Sequence, residues 1–245
     1  MRRLISVGIA AFVVLAILAG AIAMIGAYTF LPPVLEGAVA RDVQDEFGLS
    51  EAPDVRLESN PQPAMLTGTF SDGRVSLRDV DLGGVRAESA TVDLDPFDVD
   101  VARSLIQGTA VGDGPLSGNL QVRVSEAEIS RLAGEAAGTP VDDVQLDRGR
   151  MRVRSTVSVF GIEAPVTVSG GLNLREGKLV FEPEDLEAAG VPVPDKISDQ
   201  LLSEAAFAFP LKGLPGGARI TDARIEDRCL VLGGEIQGLQ LGGSG

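Results

Sequence analysis

The first 31 residues form one apolar block. No residue from Leu4 to Leu31 carries a charge, and Arg2 and Arg3 precede this stretch. As a helix rising about 1.5 Å per residue, residues 4–27 would be about 36 Å long, enough to cross a hydrocarbon core of about 30 Å. Most cleavable signal peptides have a shorter apolar region, of about 7–15 residues. The pattern predicts an uncleaved signal anchor over residues 1–31, with cleavage after small residues as the alternative.

The two arginines predict the orientation of this anchor. Basic residues next to a membrane segment stay in the cytoplasm, so Arg2 and Arg3 should lie inside the cell. We therefore expect a single-pass protein of the cell membrane with a cytoplasmic N-terminus. Residues 32–241 would form one extracytoplasmic domain, and the Gly-rich residues 242–245 a disordered tail.

Helical spacing of apolar residues recurs at three places after the anchor. Residues 34–47 repeat apolar positions every three or four residues and predict an amphipathic helix. Ser125 and Glu128 fit a capping box, in which each side chain satisfies one free amide at the start of a second helix. Ile197 and Leu201 predict a third, short helix.

Strict alternation of apolar and polar residues predicts half-buried antiparallel strands in most of the remaining chain. Such strands are expected near residues 74–78, 90–95, 97–101, 120–124, 207–211, 219–225 and 229–232, with a long meander over 144–181. Residues 52–64 read as a Pro-rich extended segment, 108–118 as a loop, 161–164 as a turn, and 183–190 as a turn or a single helical turn.

These elements predict an α+β fold, with a strongly curved antiparallel sheet wrapped around amphipathic helices. A flat immunoglobulin-like sandwich is disfavoured, because the chain has one cysteine and no tryptophan. That cysteine, Cys229, stands in an apolar strand pattern and is expected to be a buried small hydrophobe.

Charge narrows the classes of partner. Removing Arg2 and Arg3 from the 21 basic residues leaves 19 against 35 acidic ones, a net charge of −16 for residues 32–245. No cationic stripe is available for phosphates, so we expect no nucleic-acid partner. Electrostatic attachment to anionic lipid headgroups is disfavoured for the same reason. A lipid partner would have to be held through apolar contacts.

The residue inventory offers little catalytic chemistry. The chain has no histidine, which excludes Ser-His-Asp and Cys-His catalysis and His-ligated zinc. Carboxylates alternate along Asp93–Asp100, but the glycine and closing Glu of an EF-hand are missing, and no pair stands out as a glycosidase acid and base. The glycines of 112–118 resemble a phosphate loop only in number. We expect no enzyme activity, no cofactor and no metal.

Several segments together resemble the LmeA-like phospholipid-binding family of actinobacteria. They are Pro63–Phe70, Val122–Ile129, Asp185–Pro194, Gly213–Ile220 and the closing pair Gly233-Gly234. The resemblance covers nearly all of the chain from about residue 34. It implies a fold similar to the tubular lipid-binding superfamily, in which a curved sheet surrounds a long helix and an apolar groove holds acyl chains. It also implies a role in binding or moving phospholipid in the cell envelope, and in some members support of mannolipid synthesis.

The resemblance makes the apolar face of the meander and the segments after it the candidate groove. Its residues are Val153, Val157, Val159, Val166, Val168, Leu172, Leu174, Phe181, Ile197, Leu201, Phe207 and Phe209. These side chains either fill an ordinary core or line a groove for lipid tails. Arg150, Arg152 and Arg154 alternate along one strand, where they are either solvated surface residues or contacts for an anionic headgroup.

A second function class stays open. The domain could be a scaffold module of an envelope assembly complex, without a ligand. The candidate partners are then an envelope glycosyltransferase or a transport protein, in place of or beside the phospholipid and the membrane.

Overall fold

The computed structural model describes residues 33–41, 43–44, 49–82, 84–107, 111–137, 141–159, 162–193, 202, 206–210 and 218–239. The predicted anchor, residues 1–31, lies outside this part of the chain, as do Ile197, Leu201 and the tail 242–245. Within the described ranges no helix is long and apolar enough to cross a bilayer.

Three α-helices and one 3-10 helix are described, together with one further helical residue, Leu202. Residues 33–41 and 43–44 are helical and form α1, within the predicted 34–47. The 3-10 helix is Gln62–Thr67, α2 is Val101–Gln107 and α3 is Glu126–Ala137. The apolar face of α1 is buried through Leu35, Ala38 and Val39, as its spacing predicts.

The described residues form fourteen strands, which carry most of the fold. They are β1 Asp54–Glu58, β2 Thr69–Phe70, β3 Asp72–Leu82, β4 Val85–Leu94, β5 Phe97–Asp98, β6 Leu116–Ser125, β7 Asp143–Asp147, β8 Arg150–Val159, β9 Ile162–Arg175, β10 Lys178–Ala188, β11 Val191–Pro192, β12 Phe207–Pro210, β13 Arg219–Glu226 and β14 Cys229–Leu239.

The strands divide into two main sheets. Sheet 1 has the order β1-β3-β4-β6-β14-β13, and sheet 2 has the order β11-β10-β9-β8-β7, with β12 also paired to β10. Strands β2 and β5 form a short separate ribbon. All these pairings are antiparallel. The predicted antiparallel α+β class is confirmed, but the strands are shared between two sheets where the sequence predicted one.

Two sequence predictions of local structure are wrong in part. The strand expected at 97–101 ends at Asp98, because Asp100 caps α2 instead: its carboxylate accepts a hydrogen bond from the Arg103 amide at 2.9 Å. Of the turn expected at 183–190, residues 183–188 are strand, since β10 runs to Ala188, and only Ala189 and Gly190 form a turn. A β-bulge between Pro183 and Asp185 absorbs the proline, which has no amide to donate to a ladder.

Three smaller corrections follow the same pattern. Strand β6 begins at Leu116, inside the predicted loop 108–118, and β9 begins at Ile162, inside the predicted turn 161–164. The segment 52–64 is extended only in part, because the 3-10 helix starts at Gln62.

One hydrophobic cluster connects the two sheets. It includes Phe70, Val80 and Val124 from the first sheet and its ribbon, and Met151 and Phe181 from the second. Phe70 stacks on Phe97, with ring centroids 5.2 Å apart. The core therefore lies between the sheets, and each sheet turns one face toward it.

Two carboxylates in the first turn of helix α3 connect the helix to both sheets. Half of the predicted capping box forms, since the Glu128 amide donates to Ser125 Oγ at 3.4 Å. The Glu128 carboxylate instead accepts from the Arg86 amide in sheet 1, at 2.9 Å, and pairs with Arg131. Glu126 accepts from the Leu146 amide of sheet 2, at 2.8 Å.

Glu126 also binds Arg228 in the β13–β14 turn, at 2.7 Å, so this one carboxylate contacts both sheets. Burial alone would raise the pKa of Glu126, but the hydrogen bonds from Arg228 and the Leu146 amide outweigh burial and lower it. The hydrogen bond from Arg131 is the largest influence on Glu128 and, together with the Arg86 amide, holds its pKa below the usual value against burial.

We predict that Glu128→Gln lowers the free energy of unfolding by about 1–2 kcal/mol near pH 7, a value reduced for the partly exposed Arg131. Because the pKa of Glu128 is lowered in the folded protein, its contribution is complete above the unfolded value of about 4.3 and is lost as the pH falls through the folded value. Urea unfolding followed by circular dichroism, repeated from neutral to acid pH, measures this.

Glu135→Gln is the matched control, because Glu135 is largely exposed and pairs with the same Arg131. It should change the unfolding free energy by less than about 0.5 kcal/mol. If Glu128→Gln still lowered the free energy of unfolding by the same amount below the pKa of Glu128 in the folded protein, the ionised carboxylate would not be the source of the stabilisation.

Two adjacent glycines of β9 provide a second test of the fold. A Cβ on Gly170 would lie 2.1 Å from the Glu182 carbonyl oxygen, whereas a Cβ on Gly171 would have its nearest neighbour, the Asn173 amide nitrogen, at 3.7 Å. Gly170→Ala should therefore cost about 3 kcal/mol, because the backbone of β10 must move. Gly171→Ala should be close to neutral. Equal losses of unfolding free energy would show that the strands do not approach this closely.

Candidate functional site

The inner face of sheet 2 is produced by alternation along its long strands. In β8 and β9, Val153 lies opposite Val168 and Met151 opposite Gly170. In β9 and β10, Leu172 lies opposite Phe181. Since directly opposed residues point to the same side of an antiparallel pair, the apolar residues of the meander gather on the side that faces the core.

Burial along this inner face changes from one part to another. Phe181 is 1% exposed and Leu172 is 9% exposed, and both belong to the hydrophobic cluster. Val168 is half-buried and packs against the cluster from its edge. Val166 and Ala164 are half-buried as well and lie outside the cluster. We call Ala164, Val166 and Val168 the half-buried stretch, where the inner face continues beyond the packed core.

The predicted groove residues therefore fall into distinct groups. Val153, Leu172 and Phe181 are buried in the core, while Val168 and Leu174 are half-buried against it. Val166 is half-buried outside the core.

The remaining groove candidates are described only in part. Val157 and Val159 belong to β8, and their side chains lie outside the described structure. Phe207 and Phe209 belong to β12, and the predicted extended segment at this position is confirmed. In the backbone register Phe207 lies opposite Phe181, and Phe209 opposite Leu179. The assignment of all these residues to a lipid groove stays a prediction.

Sequence reasoning missed two inner-face residues of β10. Leu186 is buried and lies opposite Val168, and Ala188 lies opposite Val166. The bulge at Glu184 shifts the alternation by one residue, so the apolar positions 179, 181, 186 and 188 do not follow a single period. The sequence does contain a signal for this strand: residues 179 and 181 follow one alternation, and residues 186 and 188 follow another that is shifted by one position.

The outer face of sheet 2 carries the predicted arginine strip. Arg150 pairs with Glu184 at 2.9 Å and with Asp185 at 2.6 Å. Arg154 pairs with Asp143 at 3.9 Å. Arg152 makes no ion pair with any residue that the structure describes. The strip and the half-buried stretch are thus on opposite faces of the same sheet, and the headgroup role of the arginines stays a prediction.

The other polar candidates have structural partners. In the acidic run, Asp93 pairs with Arg74, and Asp95 accepts from the Ser117 hydroxyl at 2.8 Å. Asp100 caps α2, as described above. The described residues contain no group of three or more potential metal ligands.

Cys229 is buried, as predicted. Burial, reinforced by a hydrogen bond to Glu88, raises the pKa of its thiol. The sulfur is therefore kept in the protonated form, which is a poor nucleophile.

The comparisons with known proteins agree with the resemblance. A family model described as LmeA-like phospholipid-binding matches residues 26–235, which is most of the chain. Neither a search of curated proteins nor a search of solved structures found a match. The matched range includes α3, all of sheet 2 with its inner face, and sheet 1 except for the end of β14. The chain therefore belongs to the LmeA-like phospholipid-binding family.

Proposed function

We propose that this protein is a membrane-anchored phospholipid-binding protein of the extracytoplasmic space, which holds acyl chains along the inner face of sheet 2. The observation that carries the proposal is the half-buried stretch, where apolar side chains of a phospholipid-binding family member continue past the packed core. Apolar surface of this kind is a common feature of ligand grooves. The two sheets with their inward apolar faces would then be a form of the tubular lipid-binding arrangement.

Energetics favour an apolar mode of binding. Burying acyl chains yields about 0.8 kcal/mol per methylene, so two chains of roughly 15 methylenes would gain about 24 kcal/mol relative to water. A lipid taken from a bilayer gives up nearly all of that gain, since its tails were already out of water. The groove needs only to match the bilayer, and aliphatic walls such as Ala164, Val166 and Val168 suffice.

The charge of the domain supports the same mode. With a net charge of −16 over residues 32–245, the domain as a whole is repelled by anionic lipid surfaces. The uncharged segment before residue 32 would overcome this repulsion by tethering the domain to the membrane. The proposed role is non-catalytic and consists of shielding lipid tails during transfer or during synthesis of envelope glycolipids.

We predict that a tryptophan on the inner face will be quenched by brominated acyl chains. The chain has no tryptophan of its own, so Val166→Trp introduces the sole indole, on the half-buried stretch. The full chain is reconstituted in phosphatidylcholine vesicles with or without bromine in the middle of the tails. Brominated tails should strongly reduce the fluorescence of Val166→Trp, because bromine quenches only at contact distance.

Thr167→Trp is the matched control, since Thr167 is the next residue of β9 and lies opposite Arg154 on the outer face. Its fluorescence should change little. Circular dichroism verifies that both variants fold, and Val168→Trp serves as a second inner-face probe. If both inner-face probes were quenched no more than Thr167→Trp, the inner face would be closed to lipid and a ligand-free scaffold would be favoured.

The predicted topology has its own test, by cysteine labelling of intact cells. Gln121 is exposed on sheet 1, so Gln121→Cys should react with a membrane-impermeant maleimide, whereas Arg3→Cys should react only after lysis. The native Cys229 should contribute little signal, because it is buried and its thiol pKa is raised. Labelling of Gln121→Cys only after lysis would place the domain in the cytoplasm.

A further inference from the structure

A groove of about 440 Å³ lies on the outer face of sheet 2, away from the half-buried stretch. Its floor is one row across four strands. Gln145 lies opposite Arg152, Arg152 opposite Ser169, and Ser169 opposite Asp185. Pro192 and Val193 line one side, which is held by a hydrogen bond from the Val193 amide to the Leu186 carbonyl at 3.0 Å. The volume is within the usual range of small-molecule sites.

Most charges in this groove are already paired. Three arginines and four carboxylates line it, so its formal charge is −1. Arg150 is shared between Glu184 and Asp185, and Arg148 pairs with Asp147 at 3.6 Å. A ligand carrying several negative charges is disfavoured by this balance, because the paired carboxylates would repel it.

Two opposite charges in the groove have no ion-pair partner among the residues that the structure describes. Arg152 and Glu187 are exposed, and neither makes an ion pair with any described residue, including the other. Ser169 lies directly opposite Arg152 in the register of β8 and β9. On β10, Asp185 lies opposite Ser169, and Glu187 is two residues further along the strand. The hydroxyl of Ser169 makes no hydrogen bond with the part of the chain that the structure describes. Among the described residues, the groove thus offers one cation and one anion that have no ion pair, with an unbonded hydroxyl beside the cation.

We propose that this groove binds a zwitterionic group that contains one phosphate diester and one ammonium. The guanidinium of Arg152 would hold two phosphate oxygens with parallel N–H groups, and the Ser169 hydroxyl would donate to the same phosphate. The Glu187 carboxylate would accept from the ammonium. Such a group occurs both in the headgroup of ethanolamine phospholipids and in free glycerophosphoethanolamine. This inference goes beyond the proposed function, because the groove is a separate site on the opposite face of sheet 2 from the half-buried stretch.

The backbone of sheet 2 separates this groove from the inner face. Residues of the groove and of the half-buried stretch alternate along β9, with Ser169 on one side and Val168 on the other. Occupation of the groove therefore does not require a lipid tail on the inner face, and the two sites can be measured independently.

The test uses the full chain in maltoside micelles, which contain no phosphate. Isothermal titration with glycerophosphoethanolamine gives the dissociation constant for the wild type and for the variants Arg152→Gln and Glu187→Gln. Each substitution should weaken binding by about tenfold, the size expected when one charge-assisted contact is lost. Arg175→Gln is the matched control, because Arg175 is an exposed arginine of sheet 2 that pairs with Glu182 and does not line the groove. It should bind like the wild type.

A second ligand separates the two ends of the zwitterion. Glycerophosphoglycerol has the phosphate but no ammonium, so the wild type should bind it about tenfold more weakly than glycerophosphoethanolamine. Glu187→Gln should remove this preference, whereas Arg152→Gln should weaken binding of both ligands. The proposal is overturned if the wild type binds neither compound, if it binds both equally, or if Arg152→Gln binds like the wild type.

Vesicles distinguish the source of the ligand. A preference of the wild type for phosphatidylethanolamine over phosphatidylglycerol vesicles, lost in Glu187→Gln, supports a lipid headgroup. Binding of the free diester without such a preference supports a soluble ligand at the same site. Quenching of Val166→Trp by brominated lipid reports only on the inner face. If brominated lipid did not quench Val166→Trp but the diester still bound, the proposed acyl groove would be contradicted, whereas the site on the outer face would be supported.

Discussion

The two-residue period of a β-strand is the constraint on which this molecule depends. A strand that buries every second residue must present the others to the opposite side. In sheet 2 this places Val166 and Val168 toward the core and Arg152 and Ser169 toward solvent. The apolar surface proposed to hold lipid tails and the charged groove on the outer face are therefore two consequences of one pattern. Neither could be moved to the other face without a shift of register.

Much of this pattern could be predicted from the sequence, and the failures have local causes. The meander over 144–181 is predicted because apolar and polar residues alternate through most of it, with Ser155 and Gly170 as exceptions, and because its turns contain Glu176-Gly177 and similar pairs. The continuation of β10 was missed, because one extra residue at Glu184 changes the phase. The strand predicted over 97–101 ends early because Asp100 caps α2. A cap depends on a single side chain, so a search for periodicity does not detect it. The division into two sheets depends on pairings between distant segments, such as β4 with β6 and β6 with β14, which no local pattern specifies.

Electrostatics in this domain act locally, against an unfavourable overall charge. The excess of carboxylates gives the domain its acidity, yet Glu126 and Glu128 are among the groups that hold α3 to both sheets. Their lowered pKa values mean that the folded state prefers them ionised. The arginine strip behaves in the same way, because Arg150 and Arg154 are neutralised by neighbours, whereas Arg152 has no ion pair with any described residue. Composition thus constrains which partners approach the domain, whereas pairing decides which side chains are available to bind them.

Photo-crosslinking from inside the membrane tests the central claim most directly. The full chain is reconstituted with a phospholipid that carries a diazirine in its acyl chain, irradiated, digested and analysed by peptide mass spectrometry. If the inner face of sheet 2 holds lipid tails, cross-links will appear on the β9 peptide that contains Ala164, Val166 and Val168, in addition to the apolar segment before residue 32. Cross-links confined to that N-terminal segment would contradict the account.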